Sequence, residues 1–262
     1  MPDVSTVSAS EPSARPTVFS LPVVGGVVAA ALVILGAYAG HDVSAYAVLA
    51  AGLAFAWGWP LLLGLPRPTG TSVVLAAAAV GMAGVVVFSG SDHDGMDAIS
   101  VVLAIGLVLA FLHELVRTDG RSSLTLSLAG CALGLVVLAS GMFSAGAAPY
   151  NQGDAAVAVA IGAPALGLIA DCLLPARHEH EWSIPVSLLV GVVLGLAMSL
   201  DTGGSWNALL LTGLVAGLVG VALRRALRQT VTLDPAGRLS YGIATVLAAG
   251  VLAYAAQWFI NR

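Results

Sequence analysis

The sequence predicts an all-α protein, a polytopic transmembrane helical bundle of about nine spans, laid out as one leading helix followed by four helical hairpins. Composition, run length and the placement of arginines lead there. Of the 262 residues 58% are hydrophobic and only 9% charged, where a soluble domain carries roughly 25% charged residues. Mean hydropathy is +0.97. The apolar residues gather into runs of ~20, the length that crosses a hydrocarbon core as helix. The arginines fall almost entirely between alternate pairs of these runs.

Residues 1–17 are rich in Ser, Pro, Thr and Ala without apolar periodicity, which predicts a disordered cytoplasmic tail. Residues 18–262 form the transmembrane domain. Phe19 to Ala39 follows Arg15 and ends near Ala37-Tyr38-Ala39, a sequence that resembles a signal-peptide cleavage site. Its core exceeds the ~7–15 residues of a signal h-region, so the run is expected to stay as span 1. The later spans are expected at Val43 to Leu65, Thr71 to Phe88, Ala98 to Val116, Leu124 to Ala145, Ala155 to Leu174, Ile184 to Leu200, Trp206 to Leu223 and Leu239 to Ile260.

Orientation follows from charge. All ten basic residues are arginine, which reflects a GC-rich coding bias. With a cytoplasmic N-terminus, Arg15, Arg67, Arg117, Arg121, Arg177, Arg224, Arg225, Arg228 and Arg238 fall inside, and Arg262 alone falls outside. Positive charge marks the cytoplasmic loops. The expected location is therefore the inner (plasma) membrane with the C-terminus external. A net charge of -4 argues against a nucleic-acid partner. The expected partners are membrane lipids, with a protein partner or a second copy of the chain left open.

Leu65-Pro66-Arg67-Pro68-Thr69-Gly70-Thr71-Ser72 aligns with Leu115-Val116-Arg117-Thr118-Asp119-Gly120-Arg121-Ser122, and Gly84 then matches Gly134. Such hairpin copies run parallel, although Ala/Gly/Val bias produces likenesses of this kind as well. Lipid supplies no hydrophobic drive between helices, so packing relies on small residues. Gly36/Gly40, Gly130/Gly134, Gly191/Gly195 and Gly213/Gly217 each offer a small-xxx-small face.

Few residues could carry chemistry. His113-Glu114-Leu115-Val116-Arg117 falls one residue short of the zinc-protease pattern H-E-x-x-H. Arg117 stands where the second ligand belongs, and a guanidinium cannot coordinate a cation. The plain alternative is a Glu114–Arg117 pair at i,i+3 near the interface. Asp171, near the inner end of span 6, is expected to seek Arg117, Arg121 or Arg177, as a helix lock or as an active group. Asp92-His93-Asp94 with His41-Asp42 and Asp97, and His178-Glu179-His180-Glu181, read as solvated loops before they read as metal sites. Arg224, Arg225 and Arg228 are expected at lipid headgroups.

Proline placement points to a cavity. Pro60 lies in span 2, Pro185 opens span 7, and Pro164 sits in mid-span 6, where it removes the donor to the Ala160 carbonyl. Broken helices often mark transport sites. Absences narrow the choice further. Without lysine there is no retinal Schiff base, without a mid-span histidine no haem pair, and there is no P-loop for ATP. Cys131 and Cys172 lie in apolar runs and form no framework. No cofactor is expected. The function expected is permease-like movement of a small neutral solute or lipid through spans 2, 6 and 7, with a non-catalytic membrane subunit or scaffold as the alternative. An enzyme built on His113, Glu114 or Asp171 comes third.

Overall fold

The computed structural model describes residues 20–89, 94–116, 123–174, 179–203, 206–228 and 234–260. Within them the chain forms ten α-helices and no strand. They are α1 (Leu21–Ala39), α2 (His41–Leu62), α3 (Pro68–Ser89), α4 (Asp94–Val116), α5 (Leu124–Ala147), α6 (Gly153–Leu173), α7 (Glu179–Thr202), α8 (Trp206–Leu227), α9 (Pro235–Leu247) and α10 (Gly250–Ile260). Helices α1 to α8 are each long and apolar enough to cross a membrane, and α9 with α10 makes a ninth such stretch, Pro235–Gln257. The chain is a polytopic helical membrane protein. The predicted tail lies outside the described residues, as do the polar links holding Asp92, His93, Arg117, Arg121 and Arg177.

Several helices begin earlier than their hydropathy suggests, α3, α4, α7 and α9 by three residues or more. Pro68 and Pro235 each stand at a helix start, where a missing N–H costs nothing and φ is already helical. Asp234 caps α9, its carboxylate accepting from the amides of Ala236 and Gly237 at 2.8 and 3.2 Å. Helix α7 starts at Glu179, so Glu179, His180 and Glu181 form its first turn instead of a loop. Pro185 consequently lies inside α7 and does not open it.

The bundle has a buried middle and exposed flanks. In α6 and in the α9–α10 span 67% of the most apolar window is buried, against 22% in α4 and 28% in α7. Polar satisfaction ties α2 into the middle. The buried Trp59 indole N–H donates to the Gly130 carbonyl at 2.8 Å, and the Ser240 hydroxyl donates to the Phe55 carbonyl at 2.9 Å. The pairs α2/α3, α4/α5 and α6/α7 pack as neighbours, whereas α9 lies chiefly against α1 and α2. The fourth hairpin is thus splayed open.

Two of the glycine faces meet each other. A Cβ on Gly191 or on Gly213 would overlap the other residue's carbonyl oxygen, and one on Gly217 would overlap the carbonyl of Ser187. Helices α7 and α8 therefore approach backbone to backbone. The matched pair Gly84 and Gly134 differ in their surroundings, since Gly134 seats Trp59 and Leu75 while nothing lies within 4 Å of a methyl built on Gly84.

The last span is interrupted at Ala248 and Ala249, which are not helical. Ser140 of α5 bridges the gap, its hydroxyl donating to the Ala248 carbonyl at 2.8 Å and accepting from the Val251 amide at 3.1 Å. Beyond the break, α10 packs on α5 and α6. A Cβ on Gly250 would overlap the Ser140 carbonyl, which explains why glycine restarts the helix.

Candidate functional site

A side chain in an α-helix leans toward the helix N-terminus. Arg224 occupies the last turn of α8, so its guanidinium leans back into the bundle and away from the arginine-rich end. It is 2% exposed. Its Nε donates to Asp171 Oδ2 of α6 at 2.8 Å, its Nη2 to Ser187 Oγ of α7 at 2.7 Å, and its Nη1 reaches the Pro164 carbonyl at 3.5 Å. Glycines make the room. Cβ atoms on Gly167 and Gly220 would sit 3.0 and 3.2 Å from the guanidinium. The Tyr241 hydroxyl of α9 donates to the Arg224 backbone carbonyl at 3.2 Å. One cation thus holds α6, α7 and α8, and α9 is tied to the same residue.

The pair is desolvated but incomplete. Asp171 Oδ1 is buried without a hydrogen-bond partner among the described residues. A buried ion pair is weak evidence of net stability, yet removing one member is costly because the other charge stays behind. Arg224 corrects two expectations. Asp171 finds its partner in Arg224, the expected partners Arg117, Arg121 and Arg177 lying outside the described residues, and Arg224 is not a headgroup anchor. Arg225, half-buried, donates to Ser183 Oγ at 2.9 Å, while Arg228 is exposed.

A second polar cluster lies between α3, α4 and α5. Glu114 is buried, and Ser127 Oγ donates to its Oε1 at 2.5 Å. Thr71, His113 and Cys131 line the same small pocket. His113 packs its ring on Gly70, where a Cβ would overlap it, and its Nε2 is buried without a hydrogen-bond partner among the described residues. The expected Glu114–Arg117 pair lies outside the described residues. Among the described residues no group of three or more His, Cys, Asp or Glu is placed to hold a metal ion. His41, a suggested outer ligand, instead donates from Nε2 to the Val86 carbonyl at 3.0 Å and joins α2 to the end of α3.

The cavity expected around Pro60, Pro164 and Pro185 does not bring its helices together. α6 packs on α7, but α2 makes no substantial contact with either. Pro164 is buried against α8, where a Cβ on Gly220 would lie 2.7 Å from its ring. Two sizeable clefts occur elsewhere, both on the outer surface of α2. One of about 620 Å³ lies between α1, α2 and α9, and one of about 480 Å³ lies between α2 and α3. Their walls are almost wholly apolar, and Trp57 lines both.

The fold defines an integral membrane protein, and among the described residues buried Arg224 and buried Glu114 each centre a polar cluster near one end of the bundle. No protein-family model, curated protein or solved structure matches the chain.

Proposed function

We propose that the protein is permease-like and acts on a membrane lipid, moving it across or within the bilayer, in preference to a water-soluble solute. The carrying observation is the pair of apolar clefts on α2, set on a surface that faces lipid. A polar solute there would leave its hydrogen-bonding groups unpaired, at roughly 2–7 kcal/mol each. An acyl chain has no such groups to satisfy. The arginine-rich end is the cytoplasmic one in this reading, following the positive-inside bias, and the membrane is the plasma membrane. The Arg224–Asp171 cluster acts as a lock between α6, α7 and α8, apart from the clefts.

Reconstitution tests this reading. Purified protein in vesicles carrying a headgroup-labelled phospholipid should speed exchange between leaflets, read by an impermeant quencher, and leave the flux of a neutral solute unchanged. Lipid exchange equal to that of protein-free vesicles overturns the proposal. A second reading, the non-catalytic membrane subunit, is favoured by the outward apolar faces of α4 and α7. It predicts a stoichiometric partner that co-purifies in mild detergent and covers one of those faces.

A further inference from the structure

The two clefts share one wall and one depth. The first is lined by the opening turns of α1 (Val24, Gly25) and α9 (Pro235, Ala236), the second by the opening turn of α3 (Pro68, Thr69). Both therefore lie toward the arginine-rich end. Trp57 stands between them, 71% exposed. Its backbone is held from both sides. A Cβ on the adjacent Gly58 would overlap the Ala236 carbonyl of α9, and the Ser72 hydroxyl of α3 reaches the Trp57 carbonyl at 3.5 Å. The indole forms a ridge, one side chain thick, between two apolar channels. Volumes of about 620 and 480 Å³ fall in the range of small-molecule sites, ~300–1,000 Å³.

Chains that leave a bilayer for an apolar cleft gain little hydrophobic energy, so selection has to come from the headgroup. The end of the bundle toward which both clefts lie carries the charge for it. Exposed Arg67 directly precedes Pro68 of the second cleft, and half-buried Arg238 directly precedes Leu239 of the first. Asp234, four residues before Arg238, is engaged as the cap of α9. Helices α1, α3 and α9 all begin at this end, so their positive dipole ends face the same region.

We infer that the clefts flanking Trp57 hold the two acyl chains of one anionic phospholipid, with Arg67 and Arg238 at its headgroup. The occupant belongs to the leaflet at the arginine-rich face. What this bound lipid is for rests on the lipid reading above, but its binding does not.

The full chain, delipidated in detergent and offered equal phosphatidylglycerol and phosphatidylcholine, is examined by native mass spectrometry. One phosphatidylglycerol per chain is expected in preference to phosphatidylcholine. Each arginine near the surface is worth about a fivefold preference, so Arg67→Gln with Arg238→Gln should reduce it ~25-fold while the protein stays folded. Ala54→Phe, which fills the first cleft from an exposed position, should lower retention of both lipids without changing their ratio. Equal retention by the parent chain, a preference that survives the double variant, or full retention by Ala54→Phe overturns the inference. Leaflet exchange by the double variant separates the two ideas. Exchange without selective retention removes the site and keeps the lipid function, whereas retention by the parent chain without exchange removes the function and keeps the site.

Discussion

Arg224 and Asp171 stand 53 residues apart in the chain, and their side chains meet at 2.8 Å inside the bundle. Both lie near the ends of helices that run the same way, and both lean back from those ends. Arg224→Met strands a buried carboxylate and should cost about 3–5 kcal/mol, whereas Arg224→Met with Asp171→Leu should recover most of that loss. Unfolding in mixed detergent micelles measures both. A double variant no more stable than the single one removes the lock.

Helices α7 and α8 have no room for a side chain where Gly191 faces Gly213. Gly213→Val should destabilise by at least ~1–3 kcal/mol, because backbone, not a flexible side chain, has to yield. Gly84→Ala meets nothing within 4 Å and should stabilise by about 0.5–1 kcal/mol through helix propensity. Opposite shifts in thermal midpoint are expected from two substitutions that both enlarge a glycine.

Ser140 both gives and takes a hydrogen bond at the interruption of the last span. Ser140→Ala should cost ~1–2 kcal/mol, the scale of interhelical bonds in membranes. Hydrogen exchange at the Val251 amide should quicken by about tenfold. An unchanged rate there means that another group holds the break.

Thr69, beside Arg67, and Asn151, in the turn between α5 and α6, lie at opposite ends of the bundle. In a chain with Cys172→Ser, an impermeant maleimide added to intact cells should label Asn151→Cys and spare Thr69→Cys. The reverse pattern inverts the proposed orientation.

How far the sequence speaks depends on which physical term dominates at each position. Span number and approximate limits were legible because run length alone decides them. Helix starts at Pro68 and Pro235 were not, since proline and a capping Asp234 extend helices beyond their apolar cores. The Gly191/Gly195 and Gly213/Gly217 faces were legible as motifs and prove to be a single interface. Arg224 was misjudged because an arginine at a helix end normally reaches for headgroups. Helix direction held the missing signal, as a side chain leaning toward the N-terminus of α8 leans inward, where Gly167, Gly220 and Ser187 make space and supply an acceptor. The break at Ala248 left almost no trace, because no proline marks it and its partner Ser140 is distant in the chain. Trp57 and Trp59 look alike in sequence, yet only the structure sets one against the Gly130 carbonyl and the other outward.

The divided final span has a mechanical consequence. Its first segment lies along α1 and α2, and its second along α5 and α6. A straight rod of equal length has a single tilt and could not follow both courses. The interruption acts as a buckle, fastening the opening helices of the chain to its centre, with one serine as the pin.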